Sequence, residues 1–180
     1  MKRIIYILPI LLLVIGCSAP ARPERKDIGD HSFDKAYQKF YGAHYSSRGI
    51  KNNVIDLDLY SEGLDLDSTG RIAGTGTNLY ISDIFLPEAD SALTAETYLC
   101  DTTGAEYTFL PGVNYDSNIS GAYILRITDG TLTAFTVFDD GEFRVEQLGD
   151  SMRIVLSMKY MESGIERTFE AEGRVVMEKK

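Results

Sequence analysis

Ser151-Met152-Arg153-Ile154-Val155-Leu156-Ser157-Met158-Lys159-Tyr160 and, past the turn Glu162-Ser163-Gly164, the run from Ile165 to Met177 decide the fold class. In the first run Met152, Ile154, Leu156, Met158 and Tyr160 alternate with Arg153, Ser157 and Lys159, and only Val155 breaks the pattern. In the second, Ile165, Phe169, Ala171, Val175 and Met177 alternate with Glu166, Thr168, Glu170, Glu172, Arg174 and Glu178. A period of two with one apolar and one charged side marks antiparallel strands that bury one face and wet the other.

The same period recurs upstream in Ile55-Asp56-Leu57-Asp58-Leu59, and turn signals such as Asp129-Gly130, Asp139-Asp140-Gly141 and Gly149-Asp150 separate the runs. Strands are expected near residues 53–60, 71–74, 77–86, 96–100, 106–110, 121–128, 131–138, 142–148, 151–160 and 165–178. No long helical pattern interrupts them. The expected fold is all-β, an antiparallel β-sandwich or an up-and-down, lipocalin-like barrel of 8–10 strands, its last four forming a meander. The less regular stretch from Pro87 to Gly121 supplies crossover loops. One short helix is expected ahead of the strands. Ser32 suits an N-cap, and Phe33, Tyr37, Phe40, Tyr41 and His44 fall at helical spacing.

The N-terminus has the layout of a secretory signal. Lys2 and Arg3 precede an apolar run from Ile4 to Ile15, interrupted by Pro9, and Gly16 then precedes Cys17. The apolar run is shorter than the roughly 20 residues that span a bilayer. Val14-Ile15-Gly16-Cys17 resembles a bacterial lipobox. That resemblance implies cleavage before Cys17 and a lipid anchor on its thiol, with fatty acyl chains such as palmitate. Several chains hold far better than one, because each buried CH₂ contributes about 0.8 kcal/mol. Residues 1–16 are thus expected to be a lipoprotein signal peptide, residues 17–31 the lipidated Cys and a flexible tether with Pro20 and Pro23, and residues 32–180 a single β domain with its short helix.

Composition limits the partners. The chain carries 18 basic and 27 acidic residues, a formal net charge of −9. Such a balance offers nucleic acid no electrostatic footing. Two cysteines are present, and with Cys17 committed to lipid, Cys100 has no intramolecular partner and is expected to act as a small buried hydrophobe. His31 and His44 are the two histidines, and no His-x-x-x-His, Cys-x-x-Cys or Gly-x-Ser-x-Gly occurs, so the sequence barely offers the residues of a zinc site or a Ser-His-Asp triad. No cofactor is expected. Asp65-Leu66-Asp67-Ser68-Thr69-Gly70 opens like a calcium loop, but Gly76 occupies the position of the bidentate acid, so an ordinary polar turn is the better reading. Gly74-Thr75-Gly76-Thr77 lacks the Lys and the following helix of a phosphate loop. Asp56 and Asp58, two apart on one strand, are expected on a solvated face. Tyr60, Tyr80 and Tyr123 fall on or near strands and are the candidate ligand-binding residues.

Two clusters carry a further likeness. One comprises Tyr41-Gly42, the run from Asn53 to Leu64 and Leu79-Tyr80-Ile81-Ser82-Asp83-Ile84-Phe85. The other comprises Phe109-Leu110-Pro111-Gly112, Gly121-Ala122-Tyr123 and the hairpin from Asp139 to Gly149. Over roughly residues 40–180 the chain resembles small lipoproteins of Bacteroidetes. The resemblance implies an all-β envelope domain, and its strand-and-turn motifs carry over no catalytic residues. It also gives meaning to Asp67-Ser68-Thr69, Asp90-Ser91-Ala92, Asp101-Thr102-Thr103 and Asp150-Ser151-Met152, which match the O-glycosylation acceptor pattern of those bacteria; the candidate hydroxyls are Ser68, Ser91, Thr102 and Ser151.

The expected protein is a bacterial cell-envelope lipoprotein, lipid-anchored at the outer membrane, with a non-catalytic binding module for a small molecule, glycan or peptide. The alternative is a structural or assembly component of an outer-membrane complex. In the intact cell, Cys17→Ser is expected to leave the domain folded and to release it from membranes. Membrane fractionation in high salt checks this: retention of the variant in the pellet contradicts lipidation at Cys17.

Overall fold

Alternating apolar residues become strands here because most runs find a partner on both edges. A computed structural model describes residues 32–116 and 118–179. The expected signal peptide over 1–16, the lipidated Cys17 and the tether over 17–31 lie outside the described residues. Among the described residues the strands are β1 (Ser32–Phe33), β2 (Lys35–Gly42), β3 (Asn53–Tyr60), β4 (Leu64–Leu66), β5 (Ile72–Gly74), β6 (Gly76–Leu86), β7 (Thr97–Cys100) and β8 (Thr108–Phe109). They continue as β9 (Val113–Tyr115), β10 (Asn118–Ser120), β11 (Ala122–Thr128), β12 (Thr131–Val137), β13 (Asp140–Leu148), β14 (Ser151–Glu162), β15 (Ile165–Val175) and β16 (Met177–Lys179). The described residues are all-β, and the one helical element among them is a 3-10 turn over Ser46–Arg48.

One curled sheet holds most of these strands, in the order β1-β15-β14-β13-β7-β8-β6-β3-β2-β16. β1 lies parallel to β15 and β16 lies parallel to β2. Only Asp34 separates β1 from β2, and only Val176 separates β15 from β16, so the first and last segments of the described chain run side by side. The sheet forks at β6. Its Gly76–Ile81 half pairs with β11, which carries β12 on its far edge, while Ile84 and Phe85 pair with β8.

The inward residues of both halves meet in one core. Phe143, Val145, Ile154, Leu156, Met158, Phe169 and Val175 come from β13–β15, and Ile55, Leu57, Leu59, Leu79, Ile81 and Ile84 from β3 and β6. Aromatic rings fill its middle: Tyr98 stacks on Phe143 at 4.6 Å, and Phe138 lies 5.5 Å from Phe169. A smaller apolar cluster forms on the opposite face of β3, where Tyr60, Leu64 and Ile127 pack with Tyr37, Leu66, Ile72 and Leu125. It seats the β4–β5 hairpin. Gly63 starts that hairpin at φ +87°, where a Cβ would also stand 2.7 Å from the Thr75 carbonyl oxygen. On the outer side of β13–β15 the expected wet face carries ion pairs instead: Arg153 reaches Glu172 at 2.7 Å and Glu146 at 3.1 Å, and Lys159 reaches Asp140 at 2.8 Å.

Two expectations are corrected. The segment expected as a short helix is strand. Ala36 and Gln38 are buried two apart, and β2 is claimed on one edge by β3 and on the other by β16. The helical spacing of Phe33, Tyr37, Phe40 and Tyr41 was incidental, since paired backbone on both edges outweighs a weak local preference. The C-terminal meander has three strands, not four. β12 turns back onto β11, and the edge of β13 is taken by β7. Phe138, fully buried between the two hairpins, anchors the crossing: its N–H donates to the Ala122 carbonyl at 2.9 Å and its own carbonyl accepts from Gly112 at 2.7 Å.

Phe169 and Glu170 are neighbours on β15 with opposite fates: Phe169 is 1% exposed and Glu170 faces solvent opposite Ser157. Phe169→Asp is expected to unfold the domain, since an unpaired buried carboxylate costs several kcal/mol against a typical total of about 5–15 kcal/mol. Glu170→Lys is expected to shift stability by less than about 0.5 kcal/mol. Denaturant midpoints decide, and equal damage from both contradicts a one-sided β15.

Candidate binding site

Asp56 is central because both strands beside it bulge where they pass it. On the β6 side, Ile55 pairs with Ile84 and Leu57 with Ile81, so Asp56 alone stands opposite Ser82 and Asp83. On the β2 side, Phe40 pairs with Ile55 and Gly42 with Val54, so Tyr41 is the extra residue. A bulge adds twist and re-aims the groups around it. Asp83 takes φ +54°, a left-handed value that Asp adopts more readily than most residues. Its backbone N–H donates to Asp56 Oδ1 at 3.1 Å. Ser82 ties the bulge to the start of β11, its hydroxyl accepting from the Gly121 N–H at 3.0 Å.

The Tyr41 hydroxyl donates to Asp56 Oδ2 at 2.7 Å, and the Tyr80 hydroxyl donates to the same oxygen in a short bond. The Tyr45 hydroxyl donates to Asp83 Oδ1 at 2.6 Å. Asp56 is only 8% exposed, a correction to the solvated face expected for it. All three of its donors are neutral, and among the described residues no ion pair involves Asp56 or Asp83.

Tyr41, Tyr45, Asp56 and Asp83 line a cleft of about 250 Å³ together with His44, Val54 and Ser82. The Tyr41 and His44 rings lie 5.8 Å apart, and the His44 and Tyr45 rings 4.8 Å apart. Lys39 Nζ sits 4.8 Å from the Tyr41 ring centre and the Arg48 guanidinium 5.3 Å from that of Tyr45. Burial, then the hydrogen bond to Asp56, pushes the Tyr41 hydroxyl up to about 12. Burial and the bond to Asp83 push Tyr45 up to about 12 as well. Burial and the bond to Asp56 hold Tyr80 far above the ordinary phenol range.

The register places Tyr37, Asp58, Tyr80, Tyr123 and Val137 in one row across β2, β3, β6, β11 and β12. Tyr80 and Tyr123 are half-buried neighbours with ring centres 5.2 Å apart. Tyr60 shares their face, but it is 2% exposed and sits in the smaller apolar cluster, edge-on to Tyr37. The structure therefore brings Tyr80 and Tyr123 together beside Asp56 and takes Tyr60 into packing. Tyr41, Tyr45, Asp56 and Asp83 were not among the sequence candidates. One signal for them was present: the inward residues of β6 run Leu79, Ile81, Ile84, Leu86, and the step of three between Ile81 and Ile84 marks the bulge.

The remaining candidates lie elsewhere. Ser68, Ser91 and Thr102 are exposed in turns, whereas the Ser151 hydroxyl donates to the Leu148 carbonyl at 3.1 Å and accepts from Arg174 at 3.2 Å. The Asp67 carboxylate closes its own turn, accepting from the Thr69 N–H at 2.8 Å and the Arg71 N–H at 3.0 Å. Cys100 is partly buried against the core, which pushes its thiol up to about 11. A shallower groove of about 460 Å³ runs between Ala95–Thr97 and Arg144–Gln147, but Arg144 and Glu146 already pair there at 2.7 Å.

The raised tyrosines make stability depend on alkaline pH. An unfolded phenol ionises near pH ~10, whereas folded Tyr41 and Tyr45 hold their protons to about 12. Their contribution is thus fully present below pH ~10 and is lost as pH rises through the folded values. The denaturant midpoint is expected to fall steeply above pH ~10, and less steeply in Tyr41→Phe/Tyr45→Phe. Equal slopes contradict the hydrogen bonds assigned to these hydroxyls.

In comparisons with known proteins the chain matches no family model, no curated protein and no solved structure, so the account of this site rests on its geometry.

Proposed function

We propose that the protein is a cell-envelope lipoprotein whose β domain is a non-catalytic binding module, with the cleft at Asp56 and Asp83 as its site for a small polar ligand. The single observation that carries this reading is the buried Asp56 carboxylate, held at the cleft by Tyr41, Tyr80 and the Asp83 N–H. A few placed polar groups among aromatic rings are what fix a small ligand's orientation. Two bulges, in the strands β2 and β6 that flank β3, together assemble those groups.

The curled sheet is read here as a barrel closed by a parallel seam, β1 and β2 against β15 and β16. Phe109, Phe138, Phe143 and Phe169 fill its middle, which directs binding to the outer face rather than to the interior. The lipidated Cys17 and the tether then hold the domain near the membrane and leave this face open to the envelope.

An assembly role is favoured by one different observation. Among the described residues β12 pairs with β11 alone, and its Thr131–Val137 run has no charge, with Leu132 51% and Phe135 42% exposed. Natural edges are ordinarily guarded by charge, so this one accepts a further strand at little cost. One experiment separates the readings. Backbone NMR of the soluble domain is followed while small polar compounds are titrated, and again as protein concentration rises. Binding at the cleft is expected to move the amides of Tyr41, Ser82 and Asp83 and to leave β12 unchanged. Shifts confined to β12 with rising concentration favour assembly and contradict the cleft as the working site.

A further inference from the structure

We propose that the cleft takes an organic ammonium group, the end of a small alkylamine or diamine; this rests on the reading of the cleft as the binding site. Buried carboxylates are as a rule paired with a positive charge. Asp56 is 8% exposed and takes only neutral donors, and Asp83, the next carboxylate along the cleft, takes a tyrosine hydroxyl. Among the described residues neither has an ion-pair partner. Two carboxylates face one cleft with no ion-pair partner of their own, the nearest cations, Lys39 and Arg48, lying over the Tyr41 and Tyr45 rings, and this leaves a place for a cation between them.

The chemistry of the lining selects the kind of cation. A carboxylate has about four acceptor positions. Three on Asp56 are taken, so it offers one more. Asp83 offers more, because apart from Tyr45 it has only a long contact of 3.5 Å with the Ser82 hydroxyl. An ammonium carries up to three N–H donors that match these positions. Tyrosine rings attract a cation through their faces, and Tyr41 and Tyr45 already hold Lys39 and Arg48 in this way. Calcium takes about six to eight oxygens, and here the two hydroxyls on Asp56 Oδ2 present protons rather than lone pairs. An anion meets the same two carboxylates. The volume of about 250 Å³ suits one end of a small molecule.

Calorimetry on the soluble domain with four probes tests this: cadaverine, tetramethylammonium, maltose and calcium chloride. Asp83→Asn is the diagnostic variant, since Asn tolerates the left-handed backbone of this bulge, and circular dichroism confirms that it folds. Cadaverine is expected to bind, and Asp83→Asn to weaken it about tenfold or more, the value of a charge-assisted hydrogen bond. Tetramethylammonium, which has no N–H, is expected to bind more weakly, and calcium and maltose not at all. Maltose binding without cadaverine binding overturns the ammonium assignment and keeps the cleft as a site. Calcium binding that Asp83→Asn abolishes replaces the ammonium with a metal ion. Cadaverine binding that Asp83→Asn leaves unchanged places the amine elsewhere and overturns the proposal. Silence from all four probes overturns both the ammonium and the cleft.

Discussion

The Asp56 carboxylate is the interaction on which the outer face of this protein depends. It accepts from the backbone of β6 and from tyrosine hydroxyls on β2 and β6, and it does so where each of those strands carries an extra residue. A hydrogen bond to a charged group contributes about 1.5–3 kcal/mol, while removing a carboxylate from water costs several kcal/mol. The two nearly cancel. Such an arrangement is a poor way to gain stability and an effective way to fix the position of a charge. The bulge in β6 also lets the sheet keep its core: past Ser82 and Asp83 the inward residues resume at Ile84 with their faces correct, and Tyr80 and Asp83 are left on the cleft side.

The curled sheet divides its labour between halves that share one apolar interior. Around β13–β15 the outer face is a ladder of ion pairs, exposed to water, each worth little. Around β2, β3, β6 and β11 the outer face carries tyrosines and aspartates instead, with apolar cover only where the β4–β5 hairpin sits on Tyr60 and Ile127. The parallel contacts of β1 with β15 and of β2 with β16 join these halves. The first described strand is therefore fixed by the last ones.

Period-two alternation made most of the strands legible. Residues 53–60 were bounded as observed, and β14 and β15 bury Ile154, Leu156, Met158, Tyr160, Phe169, Ala171 and Val175 as their patterns assign, whereas Met152 is only partly buried and Ile165, at the turn, is 53% exposed. What it left out was set by pairing between distant segments. β2 has helical spacing by accident, and only its partners at both edges make it strand. β12 pairs backward rather than forward because β7, far away in sequence, already holds β13. The candidate site was legible in part. Tyr80 and Tyr123 were singled out as strand tyrosines, and Tyr60 was too, but the β4–β5 hairpin that follows Tyr60 covers it. Asp56 looked like an ordinary wet-face acid because alternation reports which face a side chain is on and says nothing of what covers that face. Its burial follows from two bulges, only one of which leaves a mark in the spacing of apolar residues.

The most direct measurement of the central claim is a crystal structure of the soluble domain grown with a saturating diamine. The account predicts a terminal nitrogen within hydrogen-bond distance of both the Asp56 and Asp83 carboxylates, with the Tyr41 and Tyr80 hydroxyls still on Asp56. Diamine bound only at other surfaces, with both carboxylates solvated, would contradict it.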